Sequence, residues 1–271
     1  MAKARKVHIM GIGGSAASGI AQIAKAYGFV VSGCDRESDT PYLAKAKQAG
    51  IPTQIGHNVS HLTGVDIVAV SPALLYQNST HPELLQAKQA GKLMTWQEFL
   101  GRYLHQEKIV VCVAGTHGKS TTTAMAGLVL EAAGLDPTVE VGATVPDWHN
   151  NIRTGLSPYF ISEADEFNDN YLHYHPNFII LNNIEMDHPE YFKSEPRLLQ
   201  SYQHFIDNLK PGGTLIYNAD SPLIHHLKLP KQSHAYTLSD FPPSLHLGVP
   251  GNHNKSNALG VIKLAHLLTI P

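Results

Sequence analysis

The sequence has little cysteine, little net charge and no long apolar run, and each shortage excludes a class of protein. Two cysteines, Cys34 and Cys112, in 271 residues are too few for a disulfide-built miniprotein, and neither has the C-x-x-C spacing of metal or redox motifs. We expect both to be buried thiols in a reducing compartment. Twenty-two acidic and 20 basic residues leave a formal net charge of −2, which gives no reason to expect nucleic-acid or membrane-surface partners.

Apolar residues make up 43% of the chain, but no window approaches the ~18 uninterrupted apolar residues that a membrane helix needs. A length of 271 residues is comfortable for two domains with cores of their own. The sequence therefore predicts a cytoplasmic globular protein with neither a nucleic-acid nor a membrane partner.

Short apolar strands alternate with amphipathic helices, which predicts an α/β fold with mainly parallel sheets. The pattern starts again after the polar residues 105–108, so we predict a Rossmann-like domain over residues 1–106 and a P-loop ATPase-like central domain over residues 107–271. The predicted strands are 7–10, 30–34, 67–70, 92–94, 109–114, 159–162, 178–181 and 214–218, and the predicted helices are 15–27, 42–49, 81–90, 96–104, 120–133, 195–209 and 256–268.

A glycine loop follows the first strand and opens the first helix. Gly11, Gly13 and Ala16 match the G-x-G-x-x-G/A pattern, and Asp35 stands at the end of the next strand. Glycines let the N–H groups at a helix start approach a diphosphate closely. The same residues also fit tight packing of helix on strand without a ligand. The turn at Ser71 is either an ordinary strand end or part of the same ligand edge.

A second glycine loop, Gly-Thr-His-Gly-Lys-Ser-Thr at residues 115–121, lies between a strand and a helix, as a phosphate-binding loop does. It departs from the strict G-x-x-x-x-G-K-[ST] pattern, because Val113 stands where the first glycine is expected. Backbone N–H groups can still bind phosphate oxygens, Lys119 supplies a positive charge, and the Ser120 hydroxyl can ligate Mg²⁺. The alternative is a solvated Lys119 at a helix start, where its charge opposes the helix dipole.

Acidic and histidine side chains follow two later strands. The segment Glu-Ala-Asp-Glu at 163–166 closes one strand, and His188 follows another. Since parallel strands bring their carboxyl ends to one edge, we expect Lys119, Glu163 and His188 to converge. Taken singly, the acids could belong to a solvated loop, and His188 could be a capped surface histidine. Beside a phosphate loop, Ser120, Glu163 and His188 are instead favoured as Mg²⁺ ligands.

Two asparagines, Asn254 and Asn257, lie near the start of the last predicted helix. Their amides present a donor and an acceptor together, which suits the edge of an adenine base. The neighbouring Ser256 also suits a helix N-cap, and the two interpretations are compatible.

As a set, four motifs resemble those of the Mur ligases of peptidoglycan synthesis: Gly-Thr-His-Gly-Lys-Ser-Thr-Thr, Glu-Ala-Asp-Glu, Asn-Ile-Glu-Met-Asp-His and Gly-Asn-His-Asn-Lys-Ser-Asn-Ala. The histidine in the phosphate loop and the early Gly-Ile-Gly-Gly resemble the branch that joins L-alanine to UDP-N-acetylmuramate, together with its relative that recycles murein tripeptide. The resemblance implies ATP-dependent amide synthesis through an acyl phosphate, with ATP and Mg²⁺ as cofactors. It implies UDP-N-acetylmuramate and either L-alanine or L-alanyl-γ-D-glutamyl-diaminopimelate as substrates.

The resemblance also implies roles for particular residues. Lys119, Glu163 and His188 would be catalytic, and Ser120, Glu163 and His188 would hold metal. The implied ATP-binding residues are Gly115, Thr116, His117, Gly118, Lys119, Ser120, Thr121, Asn254 and Asn257. The implied UDP-sugar-binding residues, all in domain 1–106, are Gly11, Gly13, Gly14, Ser15, Asp35 and Ser71.

Three departures from the family pattern matter. Ser120 replaces a threonine but keeps the hydroxyl, and Phe167-Asn168 stands where alanine-adding members tend to have Ser-Asp. The third, amino-acid-binding domain of the family has no counterpart in the sequence, so we expect nucleotide binding with little or no ligase turnover. The alternative from another class is a non-catalytic protein that binds the UDP-sugar or ATP. Folylpolyglutamate synthesis shares the ATP chemistry, but the first glycine loop argues against it.

Overall fold

The computed structural model describes residues 4–270, which fall into two compact units. The first unit consists of the described residues up to Gln106 together with Gly142–Thr154, and the second of Glu107–Val141 and the described residues from Gly155 onward. The break after Gln106 coincides with the predicted boundary. The segment Gly142–Thr154 does not follow the prediction, which placed it in domain 107–271. Local periodicity could not predict which unit this segment packs against, because the residues that it contacts lie far away in the sequence.

The first unit contains a five-stranded parallel sheet. Its strands are β1 (Lys6–Met10), β2 (Val30–Asp35), β3 (Thr53–Ile55), β4 (Ile67–Val70) and β5 (Leu93–Thr95), and its helices are α1 (Ser15–Ala26), α2 (Pro41–Gln48), α3 (Pro72–Gln77), α4 (Pro82–Gln89) and α5 (Trp96–Phe99). The strand order is β3-β2-β1-β4-β5 with parallel neighbours, which is the Rossmann arrangement. Strand β4 is buried throughout, as expected of a strand covered on both faces.

The second unit is built on a larger sheet. Its strands are β6 (Ile109–Ala114), β7 (Thr138–Val145), β8 (Asn150–Arg153), β9 (Tyr159–Glu163), β10 (Phe178–Leu181), β11 (Thr214–Asn218) and β12 (Ser233–Tyr236), and its helices are α6 (Lys119–Ala132), α7 (Pro189–Phe192), α8 (Glu195–Asp207) and α9 (Asn252–Leu267). The sheet order is β12-β11-β10-β6-β9-β7-β8, although β8 and the end of β7 cluster with the first unit. Strand β6 pairs in parallel with both β10 and β9, so the loop after β6 emerges at the carboxyl edge between them.

The predicted α/β class with parallel sheets is confirmed, but several element bounds differ. Helix α9 begins at Asn252, four residues before the predicted start at 256, and the predicted helix 96–104 is α5 followed by a π turn, Leu100–Leu104. Strands β3, β7, β8 and β12 escaped prediction. Strand β7 was not predicted because the acidic residue Glu140 interrupts its apolar pattern. In the structure Glu140 is buried and accepts a hydrogen bond from the Ser162 hydroxyl at 3.2 Å.

Within residues 4–270, no helix has both the length and the apolar character needed to cross a bilayer.

Candidate active site

The phosphate loop lies between β6 and α6 and is closely packed against two other segments. Gly115 and Gly118 adopt positive φ values of 135° and 81°, which favour glycine. A Cβ at Gly115 would stand 2.9 Å from the Asn183 carbonyl oxygen, and one at Gly118 would stand 2.4 Å from Asn257 Oδ1. The loop therefore passes between the end of β10 and the start of α9 with no room for a larger residue.

Hydrogen bonds hold the same loop in one conformation. The Thr116 hydroxyl donates to the Glu185 carbonyl at 3.0 Å and accepts from the Glu185 N–H at 2.9 Å. The His117 N–H donates to Asn183 Oδ1 at 2.8 Å, and Asn183 Nδ2 donates back to the His117 carbonyl at 3.1 Å. A loop with its own bonds already satisfied can bind phosphate without first being ordered.

Lys119 curls back over the loop that precedes it. Its Nζ lies 2.7 Å from the Gly115 carbonyl oxygen and 2.9 Å from Glu166 Oε2, and its side chain is only 14% exposed. The interpretation of Lys119 as a solvated residue is therefore wrong. Burial raises the pKa of the Glu166 carboxyl even with the ammonium group beside it.

Ser120 and Glu163 meet as the sequence predicts. The Ser120 hydroxyl donates to Glu163 Oε1 at 3.0 Å, because β9 pairs with β6 in a register that sets Glu163 opposite Val113. Both groups offer oxygen atoms, the donors that Mg²⁺ prefers. The pair is thus placed to share a cation at the start of α6.

His188 lies beside two acids that were not predicted as metal ligands, Asp165 and Glu166, and its pairing with Glu163 stays a prediction. Its ligand nitrogen and the carboxylate oxygens of Asp165 and Glu166 all lie within 4.8 Å of one another. The ring packs on Phe167, with 4.8 Å between centroids, and Nδ1 lies 3.4 Å from Glu190 Oε1. His188 also has a positive φ of 51° at the start of α7, so its backbone turns sharply there.

The contacts among these side chains form two groups. The first is Ser120 with Glu163, and the second is Asp165, Glu166 and His188, with Lys119 bonded to Glu166. The motif at 163–166 predicted no role for Asp165 or Glu166. The spacing of two residues from Glu163 was a signal for Asp165, but nothing in the local sequence shows that Glu166 turns inward.

Carboxylates outnumber cations around this edge, which favours binding of a divalent ion. Burial, and then repulsion from Glu163, raises the pKa of Glu140 to about 8, so this acid is largely neutral at pH 7. Three further acids, Glu163, Asp165 and Glu166, lie at this edge, where the ammonium group of Lys119 is bonded to Glu166. A bound cation would offset that excess of negative charge.

A cleft of about 570 Å³ opens beside the phosphate loop. Its lining comes from the loop, the ends of β10 and β11, and the start of α9: His117, Gly118, Asn183, Glu185, Asn218, Asp220, Ser221, Pro222, Leu238, Asn252, His253, Ser256 and Asn257. This volume is typical of small-molecule sites. Asn257 lines the cleft as expected of an adenine neighbour. Asn254 is not among these lining residues, and its amide donates to the Pro250 carbonyl at 2.7 Å. Contact of either asparagine with adenine stays a prediction.

The first glycine loop is organised around Asp35. The Gly13 N–H donates to Asp35 Oδ2 at 2.7 Å, and the Gly11 N–H donates to the Cys34 carbonyl at 2.8 Å. A Cβ on Gly11 would lie 3.0 Å from Ser71 Cβ, so Ser71 borders the loop as well.

The two remaining residues predicted for this loop lie at the start of α1. Gly14 is the N-cap, and Ser15 is the first helical residue, whose hydroxyl donates to the Gly142 carbonyl at 3.3 Å. All six residues predicted for the UDP-sugar therefore belong to the first unit, around one loop. Their role as ligands stays a prediction.

Two sequence models of one family match this chain. A profile described as "Mur ligase family, catalytic domain" matches residues 6–108, and one described as "Mur ligase middle domain" matches residues 113–244. The chain belongs to the Mur ligase family. It carries the two regions of the family in the order that its two glycine loops predicted.

Curated relatives of this Mur ligase chain are named UDP-N-acetylmuramate–L-alanine ligase. One from Agathobacter rectalis is 35% identical over 97% of this chain and 63% of its own length. One from Clostridium perfringens is 33% identical over 98% of this chain and 64% of its own length. The chain thus spans about 63% of the length of these relatives.

Two solved structures are similar across nearly the whole chain. UDP-N-acetylmuramate:L-alanyl-γ-D-glutamyl-meso-diaminopimelate ligase from Neisseria meningitides superposes with a TM-score of 0.84 at 25% identity, covering 98% of this chain and 94% of that one. UDP-N-acetylmuramate-alanine ligase from Thermotoga maritima superposes with a TM-score of 0.79 at 27% identity, covering 97% of this chain and 65% of that one. The Rossmann-like and P-loop ATPase-like arrangements are therefore those of Mur ligases.

Proposed function

We propose that this chain provides the UDP-sugar-binding and ATP-binding units of a ligase that joins L-alanine to UDP-N-acetylmuramate. The observation that carries the proposal is the placement of Lys119, Ser120 and Glu163 at one sheet edge, beside a cleft large enough for a nucleoside. The relatives named for this activity support the choice of substrates. The proposed compartment is the cytoplasm, where ATP and UDP-sugars are available.

The reaction that fits these groups is amide formation through an acyl phosphate. The carboxylate oxygen of the sugar nucleotide attacks the γ-phosphorus of ATP, and ADP leaves with the electrons of the broken P–O bond. The amine of alanine then attacks the acyl carbon, phosphate leaves, and the nitrogen loses a proton. Two substrates and ATP thus give amide, ADP and phosphate.

In the first step the protein supplies positioning and charge. The N–H groups of the loop after β6 and of the first turn of α6 would bind the phosphate oxygens, and Lys119 would neutralise charge that develops on the transferred group. Lys119 must then exchange part of its contact with Glu166 for a phosphate oxygen. Asn257, which lines the cleft, would contact the base.

The donor set fits Mg²⁺, since it consists of hydroxyl and carboxylate oxygens with one imidazole. Ser120 and Glu163 would hold one ion, as the 3.0 Å contact between them suggests, and His188 with Asp165 and Glu166 would hold another. When bound, such ions neutralise phosphate charge and orient the attacking carboxylate. Burial keeps Glu140 largely neutral at pH 7, so it adds little charge to this set.

A second candidate is the ligation of the recycled tripeptide to the same sugar nucleotide. Phe167 packs on His188 beside the acidic cluster, at the position where alanine-adding enzymes tend to carry a small polar residue. The similarity in fold to the Neisseria meningitides enzyme also supports this candidate.

Calorimetric titration tests the proposal with each ligand separately. The chain should bind UDP-N-acetylmuramate, and Asp35→Ala should weaken that binding while MgATP binding stays unchanged. Failure of the chain to bind either nucleotide would overturn the proposal. We expect turnover to require the part of the longer relatives that this chain does not cover. A phosphate-release assay with L-alanine or the tripeptide would therefore separate the two candidates in a protein that includes that part.

A further inference from the structure

A second cluster of metal-ligating side chains lies in the first unit. His8 comes from β1, Cys34 from β2, His61 from the 3₁₀ turn Val59–Leu62, and Glu83 from the first turn of α4. His8, Cys34 and Glu83 are all 0% exposed, and the His61 side chain is 11% exposed. Four elements that are distant in sequence thus bring an imidazole pair, a thiol and a carboxyl into one buried space.

The ligand atoms converge on a common centre. Glu83 Oε1 lies 3.5 Å from His8 Nε2, 3.3 Å from His61 Nδ1 and 3.9 Å from Cys34 Sγ, and Cys34 Sγ lies 3.2 Å from His8 Nε2. All four atoms lie within 4.8 Å of one another. A tetrahedral Zn²⁺ with bonds of about 2.0–2.3 Å separates its ligand atoms by roughly 3.3–3.6 Å. The cluster already has nearly these dimensions.

Two buried ring nitrogens in and beside the cluster lack a hydrogen-bond partner among the described residues. His61 Nδ1 and the nearby His57 Nε2 are buried without a hydrogen-bond partner within residues 4–270. Burial lowers the pKa of His8 to about 4, raises that of Glu83 to about 7, and raises that of the Cys34 thiol. His8 is therefore neutral at pH 7 and does not form an ion pair with Glu83. Unpaired buried groups of this kind are destabilising unless something else satisfies them.

We propose that His8, Cys34, His61 and Glu83 bind a Zn²⁺ ion. On binding, the thiol and the carboxyl release any protons they hold to solvent, and the resulting thiolate and carboxylate balance the two positive charges while both imidazoles remain neutral. A thiolate with imidazoles is a donor set that selects Zn²⁺ over Mg²⁺, which prefers oxygen ligands. The site is therefore distinct in chemistry from the phosphate-loop region.

Neighbouring groups orient the ligands as they do around known zinc ions. His8 Nδ1 lies 2.9 Å from Ser32 Oγ, which leaves Nε2 free to face the metal. His57 Nδ1 lies 3.0 Å from Cys34 Sγ and can donate a hydrogen bond to a thiolate there. Four protein ligands make a closed, structural site. It would link β1, β2, the 3₁₀ turn and α4, and so hold the end of β2 that carries Asp35.

The first test is the metal content of the intact chain. The 271-residue protein, expressed without a histidine tag in zinc-supplemented medium and desalted, should retain equimolar zinc by plasma mass spectrometry. Cys34→Ser should lose this zinc, whereas Cys112→Ser should keep it. Cys112 is the matched control because it is also a fully buried free thiol on a sheet strand. Zinc-free wild-type protein, or equal zinc in both variants, would overturn the proposal.

The second test does not depend on how well a variant folds. Wild-type protein stripped of metal and titrated with Co²⁺ should develop a thiolate-to-cobalt charge-transfer band and the intense visible bands of tetrahedral cobalt. Zn²⁺ should abolish these bands and raise the melting temperature, and Mg²⁺ should do neither. A titration without the charge-transfer band would mean that the cluster is held by hydrogen bonds alone, and the proposal would fail.

Discussion

Replacing Lys119 by alanine should separate its structural role from its role in ATP binding. Lys119 is 14% exposed and bonded to Glu166, which is 1% exposed. The substitution leaves a buried carboxyl without its cation and also removes the charge proposed to contact the terminal phosphates. We therefore expect the Lys119→Ala variant to lose both stability and affinity for MgATP.

Removing one partner of a buried ion pair costs about 3–5 kcal/mol. The lower end, about 3 kcal/mol, applies here because water reaches the lysine end and Glu166 can take up a proton. At ~2–4 °C per kcal/mol, the melting temperature should fall by roughly 6–12 °C. The loss of charge-assisted hydrogen bonds worth about 1.5–3 kcal/mol should weaken MgATP binding roughly 10- to 150-fold.

A double variant distinguishes the two effects. Combining Lys119→Ala with Glu166→Gln removes the unpaired charge, so most of the stability should return while MgATP binding stays weak. Lys231→Ala, at an exposed lysine in the same unit, is the matched control and should change neither quantity. Melting curves and calorimetry provide both measurements. If the Lys119→Ala variant melted like the wild type, the structural role of Lys119 would be refuted. If it bound MgATP like the wild type, the role of Lys119 in ATP binding would be refuted.

The stability deficit of Lys119→Ala should also depend on pH. A carboxyl whose pKa is raised by folding binds its proton more tightly in the folded state than in the unfolded state. Stability from such a group is present at low pH and is lost as pH rises through the folded-state pKa. Burial already raises the pKa of Glu166 with Lys119 present, and removing the lysine raises it further. The deficit should therefore shrink between pH 8 and pH 5.

Two further predictions concern single positions. Because burial raises the pKa of Glu140 to about 8, the wild type should lose stability as pH rises from about 5 to 8, by up to ~1.4 kcal/mol per pH unit, and Glu140→Gln should not. If the urea midpoints of the two proteins changed in parallel between pH 5 and pH 8, this prediction would be contradicted. Gly118→Ala should lose about 1–2 kcal/mol of stability from its positive φ, together with MgATP affinity from the clash with Asn257 Oδ1. Gly212→Ala, with a φ of 78° and open space around it, is the control for backbone strain alone. If Gly118→Ala and Gly212→Ala bound MgATP with equal affinity, the predicted effect of the clash on binding would be refuted.

Sequence patterns predicted most of the fold because its parallel strands are short apolar runs between amphipathic helices. The prediction failed where a strand carried a buried polar residue, as β7 does at Glu140, or where it was short and exposed, as β3 is. It also failed for Gly142–Thr154, because that segment packs against elements more than a hundred residues earlier in the chain. The prediction of Ser256 as an N-cap was also wrong, because α9 begins at Asn252 with Gly251 as its N-cap and Ser256 lies inside the helix.

The sequence by itself determined the chemistry available at each strand end: the two glycine loops, the lysine and hydroxyl that begin α6, and the acids that follow β9. These depend on residue type and spacing, which local geometry converts directly into strand, loop and helix. Only the tertiary structure decided which of these groups are partners. It bonded Lys119 to Glu166, brought Asp165 and Glu166 close to His188, and collected His8, Cys34, His61 and Glu83 in one buried space. Such pairings depend on sheet order and on the inward turn of loops, and neither is encoded in the sequence near any one of these residues.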